Sequence, residues 1–319
     1  MVKRKLVVTQ NLAPLLLDQL HNVVPEWEVI AGRDQSVWKD HVQDAEIIAG
    51  WKKELNDLLT SESKLKWLQS WSAGVDNLPL ETFENRNYLL TSSNGVHANP
   101  ISETIFALML GLTRKIHAYV RQQQTKTWHH ANLNLELHGK TLGLIGTGAI
   151  GKETAKIAKA FGMNVLGVRR SGQQEEFFDE MHTLGELTTI LPRCDYVAVT
   201  LPLTKETDKL FGQKEFDAMK DSAFFINIGR GEIVEEQVLI KALQEEKIAG
   251  AGLDVFEKEP IDDNNPLWEL ENVIVTPHTA GATEYYNQRV IEDILIPNLQ
   301  NYVDGEKPAI NLVDYEKGY

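Results

Sequence analysis

A chain of 319 residues, 42% hydrophobic and 24% charged, is long enough for two packed cores and too ordinary in composition for a disordered or fibrous protein. Its formal net charge of -14 excludes a surface built to hold nucleic acid or an anionic membrane, since either needs a basic face. Cys194 is the only cysteine, so no disulfide forms within the chain, and neither MVKRKLVVTQ at the start nor ISETIFALMLGL, interrupted by Ser102, Glu103 and Thr104, has the apolar length of a signal or membrane segment. The expectation is a cytoplasmic enzyme or binding protein that meets any anionic ligand in a local cationic pocket.

In chain order, KLVVTQ (5–10), WEVIAG (27–32), AEIIAG (45–50), LKWLQSW (65–71) and NYLLTS (87–92) read as strands separated by helical spacers, a parallel α/β pattern. Asn99 and Pro100 read as N-cap and first residue of a helix running to about His117 and apolar on nearly every side. KTLGLIG (140–146), MNVLGV (163–168), YVAVTLPL (196–203), AFFINIG (223–229), AGAGLDVF (249–256) and VIVTPH (273–278) then predict a six-stranded, doubly wound dinucleotide-binding domain over 99–284. From Thr283 the tail reads as helical, with Val290, Ile291, Ile294 and Leu295 on one face and Pro297 kinking or ending it. Residues 1–98 and 285–319, on either side of the central domain, are expected to fold together as a substrate domain, with a cleft at the crossing.

LGLIGTGAIG supplies Gly146, Gly148, Ala149, Ile150 and Gly151 directly after a strand and at the opening of a helix. Glycines at this spacing permit a tight turn, close backbone approach to a pyrophosphate, and helix-on-strand packing, while the helix N-terminus favours negative charge. Where the second strand of such a domain usually ends in an acid that grips the adenosine ribose of NAD, this chain has Arg169, Arg170 and Ser171. Two guanidiniums and a hydroxyl suit the 2′-phosphate of NADP, which makes NADP the preferred cofactor and NAD the alternative. The bland reading is a solvated arginine pair at a strand end.

Three further stretches follow predicted strands, where ligands gather in open α/β sheets: INIGRGEIV with Arg230, GLDVFEKEP with Asp254 and Glu259, and VIVTPHTAGAT with His278. They offer a cation for an anionic substrate, carboxylates, and an imidazole. A carboxylate beside an imidazole orients the ring and favours the imidazolium, which makes the pair a competent general acid. Taken singly, each residue is more often a surface or packing group, and it is their combination on one cofactor domain that points to chemistry. His97, His129, His130 and His138 lack metal-ligand spacing, so no metal is expected.

NIGRG, LDVFEKEP and TPHTAGAT, in that order after GTGAIG, resemble the signature of the D-isomer-specific 2-hydroxyacid dehydrogenases, a resemblance that WSAGVDNLPL (71–80), SNGVHANPISE (93–103) and LPLTKET (201–207) extend over nearly the whole chain. It implies a flavodoxin-like substrate domain made from both chain ends, a Rossmann-type domain inserted in it, hinged closure and a homodimer. It also implies roles. Arg230 would bind and polarise a small 2-oxo acid, His278 would exchange the proton with Glu259 as its partner, and Asp254 would hold the nicotinamide carboxamide. Amides around Ala73, Gly74 and Val75 would cradle the substrate carboxylate, and Pro202 and Thr207 would belong to a second cofactor loop. Ser102-Glu103-Thr104 departs from the Glu-His found in many relatives, so no catalytic role is read there. The activity implied is reduction of glyoxylate, hydroxypyruvate or a similar acid; a phosphoglycerate dehydrogenase and a nucleotide-sensing co-repressor-like binding protein are the alternatives. Trp51, Ser72 and Trp128 read equally well as pocket or packing residues.

Overall fold

The apolar runs of the first hundred residues lie side by side in the computed structural model, which describes residues 3–315. Strands β1 (Lys5–Val8), β2 (Glu28–Ala31), β3 (Ile47–Ala49), β4 (Trp67–Gln69) and β5 (Leu89–Thr91) pair in parallel in the order β2-β1-β3-β4-β5. This is the flavodoxin-like order. Side chains alternate across the sheet, so Leu6, Val8, Ile47 and Trp67 enter one core while Val7, Ile48, Leu68 and Leu90 enter the other. The chain's end completes the first core with Ile291, Leu295 and Leu299, and the unit comprises the chain up to Val96 and again from Thr283.

The second unit is His97–Ala282. Its strands are β6 (Thr141–Ile145), β7 (Asn164–Val168), β8 (Glu180–His182), β9 (Tyr196–Val199), β10 (Phe224–Asn227), β11 (Gly250–Leu253) and β12 (Val273–Val275), all parallel, in the order β12-β11-β10-β9-β6-β7-β8. The winding direction reverses between β6 and β9, the switch point at which such sheets bind ligands. Both faces are covered: Val197, Val199 and Phe225 point into one core and Tyr196, Ala198 and Ile226 into the other.

Three sequence expectations for the second unit differ from its structure. The sheet has seven strands rather than six, because Glu180–His182 pairs along β7. With one partner only and Glu180 exposed, this edge strand carries none of the hydrophobic run that marks its neighbours. Asn99 is not an N-cap: the helix spans Ala98–Thr113 with His97 at the cap position, so Asn99 and Pro100 lie inside the first turn. Pro100 is tolerated there because first-turn N–H groups have no intrahelical acceptor. The helix also stops short of His117, since Lys115 turns left-handed (φ 53°) and a separate helix, Ile116–Gln124, begins.

Pro297 neither ends nor breaks the tail. Tyr286–Arg289 is α-helical, Val290–Leu295 widens into a π-helix, and Ile296–Val303 continues as α-helix with Pro297 in its first turn. The wider turn lets the chain pass a residue that lacks an N–H and whose ring would press on the carbonyl a turn earlier. Val290, Ile291, Ile294 and Leu295 are all buried, as their spacing predicts.

Candidate active site

The glycine loop follows β6 and opens the Ala149–Ala160 helix, with Gly148 as N-cap. Gly146 sits at φ +110°, and a Cβ there would lie 2.7 Å from the Thr200 hydroxyl. At Gly151 a Cβ would come within 2.2 Å of the Gly146 carbonyl oxygen, so the helix reaches the strand only because this residue has no side chain. By contrast, a Cβ on Gly148 would meet nothing within 4 Å. That open space lies against the helix N-terminus carrying Ala149 and Ile150, as the pyrophosphate of a dinucleotide requires. Thr147, at the variable second position of the motif, is 7% exposed, and its hydroxyl has no partner among the described residues. A buried, unpaired hydroxyl inside this loop fits a bound group that would satisfy it.

Arg169 and Arg170 follow β7 directly. Arg169 Nη1 lies 3.5 Å from Glu175 Oε2, and Arg170 Nη2 donates to Glu206 at 2.9 Å. The Ser171 hydroxyl accepts from the Gln173 N–H at 3.3 Å. Beyond β9, the Thr207 hydroxyl accepts from the Thr204 N–H at 2.8 Å and donates to the Pro202 carbonyl at 2.7 Å, so it closes the 202–207 loop from inside.

Arg230, Asp254 and His278 follow the C-terminal ends of β10, β11 and β12, three adjacent strands. His278 Nδ1 lies 2.7 Å from Glu259 Oε2; because a carboxylate only accepts, the ring N–H donates and Nε2 is left for other partners. The other oxygen of Glu259 accepts the Phe256 N–H at 3.0 Å. His278 and Glu259 keep 49% and 36% of their side-chain surface exposed, so both are reachable by a ligand. The backbone of His278 is left-handed (φ 53°), a conformation costing on the order of 1–3 kcal/mol that surrounding bonds must offset. Its N–H donates to the Asp254 carbonyl at 2.8 Å.

Asp254 is 1% exposed, and its carboxylate accepts from the Thr276 hydroxyl (2.6 Å) and from the N–H groups of Thr279 (3.0 Å) and Ala280 (2.9 Å). The residue therefore anchors the loop that presents His278, a role its place in the LDVFEKEP motif did not reveal. His97 supports the same loop by donating from Nδ1 to the Gly281 carbonyl at 3.0 Å. On the Arg230 side, a Cβ on Gly231 would lie 1.9 Å from the Phe256 carbonyl carbon. Close packing at this glycine ties the Arg230 turn to the segment whose N–H holds Glu259.

In the first unit, Ala73, Gly74 and Val75 lie in the loop after β4, with the Val75 side chain buried in the core. Tyr286 donates from its hydroxyl to the Trp71 carbonyl, and Trp71 Nε1 donates to Asn287 Oδ1 at 3.2 Å, so the chain's end pins this loop. Burial pushes the Tyr286 hydroxyl up to about 12, against a hydrogen bond with Ser93 that pulls it down. Trp51 is a packing residue, edge-on to Phe83 at 4.9 Å, whereas Ser72 is exposed and Trp128 is 97% exposed. Burial raises the Cys194 thiol to about 12, which leaves it protonated and inert. Among the described residues no group of three His, Cys, Asp or Glu could hold a metal ion, and no helix is long and apolar enough to cross a membrane.

The family model described as "D-isomer specific 2-hydroxyacid dehydrogenase, NAD binding domain" matches residues 106–280. A glyoxylate reductase of Thermococcus litoralis is 38% identical over 266 residues, 81% of this chain and 80% of its own. The crystal structure of a D-isomer specific 2-hydroxyacid dehydrogenase family protein from Aeromonas salmonicida superimposes with a TM-score of 0.86 at 33% identity, covering 98% of this chain and 99% of that one. An NADPH-dependent glyoxylate/hydroxypyruvate reductase from Sinorhizobium meliloti, solved with NADP and sulfate, gives 0.83 at 26% identity, covering 99% and 100%.

Proposed function

The chain belongs to the D-isomer specific 2-hydroxyacid dehydrogenase family and is an NAD(P)-dependent oxidoreductase; from that premise we propose that it reduces small 2-oxo acids such as glyoxylate and hydroxypyruvate, with NADPH as the preferred hydride donor. The observation that carries this reading is the 2.7 Å pair of His278 and Glu259, built on the same domain as the glycine loop. Bound nicotinamide supplies the hydride that the carbonyl carbon receives. His278 gives the carbonyl oxygen its proton from Nε2, while Glu259 keeps the ring oriented and balances the imidazolium. Arg230 binds the carboxylate and polarises the carbonyl. Asp254 holds the carboxamide, for which its Oδ2 keeps acceptor capacity beyond the Ala280 N–H, and anchors the 276–280 loop. Gly146, Gly148, Ala149, Ile150, Gly151, Pro202 and Thr207 form the cofactor loops, and the amides of Ala73, Gly74 and Val75 receive the substrate carboxylate.

Arg169, Arg170 and Ser171 support the NADPH preference by standing where an NAD enzyme would place an acid. A cytoplasmic homodimer completes the reading, supported by Ile116, Val120 and Trp128, large apolar side chains left at least half exposed on one segment for a second copy to cover. The test follows NADPH and NADH oxidation with glyoxylate, hydroxypyruvate, 2-oxoisocaproate and phosphohydroxypyruvate. Turnover with the first two, faster with NADPH, is expected. Turnover confined to phosphohydroxypyruvate would replace the substrate assignment, and equal rates with NADH would remove the cofactor preference.

A further inference from the structure

The carboxylate of Glu175 sits among groups that would otherwise bind an anion. Its Oε1 accepts from Lys152 Nζ at 2.9 Å and from the Glu176 N–H at 3.2 Å, while its Oε2 lies 3.5 Å from Arg169 Nη1. One cation comes from the end of β7 and the other from the first turn of the glycine-loop helix, the two elements that bracket the adenosine ribose in a domain of this winding. None of the three side chains is buried: Lys152, Glu175 and Arg169 keep 43%, 27% and 36% of their surface. The triangle can therefore open without unpacking the core. Glu176 Oε2 stands 4.0 Å from Lys152 Nζ and adds a second negative charge at the rim.

Resting on the NADP reading above, we propose that Lys152 is a second cation for the cofactor's 2′-phosphate and that Glu175 is an internal anion competing for the same place. A phosphate dianion accepts from both cations at once, as the two oxygens of Glu175 do, and it displaces a single carboxylate because it carries more charge and more acceptor oxygens. Glu175 thus sets a threshold: ligands bearing a 2′-phosphate displace it, and those bearing a 2′-hydroxyl leave it in place. The glycine motif gives no sign of this, because Lys152 lies just beyond its last glycine and Glu175 follows the arginine pair in an irregular stretch.

Direct titration of the whole protein with 2′,5′-ADP and with 5′-AMP tests the proposal without turnover. Glu175→Gln is expected to bind 2′,5′-ADP about fivefold tighter and Lys152→Met about fivefold weaker, the scale of a partly exposed charge pair, with 5′-AMP unchanged in both. An unchanged or weaker 2′,5′-ADP affinity in Glu175→Gln would overturn the competitor role, and weaker 5′-AMP binding would show that Glu175 instead holds the ribose hydroxyl. Arg169→Asp separates this from the parent reading. If it weakens 2′,5′-ADP while the other two variants change nothing, the inference alone fails; if it too changes nothing, the NADP reading fails.

Discussion

Glu259 divides its two oxygens between the His278 ring and the Phe256 N–H, so one carboxylate both orients the imidazole and fixes its own position. Glu259→Gln keeps the shape and one acceptor but loses the charge that balances a protonated ring. We expect kcat to fall by about 10- to 100-fold with thermal stability little changed. A lowered melting temperature with kcat intact would confine Glu259 to folding. The residues alone offered an imidazole and two carboxylates, Asp254 and Glu259, and it was the family resemblance carried by LDVFEKEP and TPHTAGAT that named Glu259 as the partner of His278. The loop anchor at Asp254 and the His97 contact to Gly281 were not legible in the sequence, because both depend on backbone groups brought together by parallel strands, which no local motif records.

At the scale of elements, the nucleotide site depends on a helix that starts where a strand's last turn leaves room for it. Gly151→Ala would force a methyl against the Gly146 carbonyl, an overpacking that costs about 1–3 kcal/mol if the helix must retreat. The helix N-terminus then moves from the pyrophosphate position, and the NADPH dissociation constant is expected to rise by at least about tenfold, read by fluorescence titration. Unaltered NADPH binding would mean that the loop does not hold the dinucleotide. The short apolar strands at the centre of the larger sheet were readable because both of their faces are buried. Glu180–His182 was not, since an exposed edge strand needs no such run, and Pro297 does not end the tail because a π-turn can absorb a proline that an ideal α-helix cannot.

At the scale of the molecule, Glu46 ties the start of the chain to its end. Arg4 donates to both of its oxygens at 2.8 and 2.9 Å, Lys66 donates at 3.0 Å and the Tyr302 hydroxyl at 2.9 Å. Burial pushes this carboxyl upward, but those donors and the Arg4 charge outweigh it and bring it down to about 2 from an ordinary 4.5. A carboxyl depressed by folding contributes stability that is complete above its unfolded value and is lost as pH falls from about 4.5 towards 2. Glu46→Gln should therefore melt below the wild type at pH 7, with the gap closing as pH falls through that window; a gap independent of pH would assign the loss to packing. The two-unit architecture was visible from the order of strand runs and glycine motif, whereas this tie between distant parts of the chain was not.

Reduction of a 2-oxo acid at this site requires His278 to deliver the proton. Titrating His278→Ala with NADPH and then following its turnover with glyoxylate separates binding from chemistry. We expect a dissociation constant for NADPH equal to that of the wild type and a kcat lower by about 10²- to 10⁴-fold. Wild-type turnover in the variant would contradict the account.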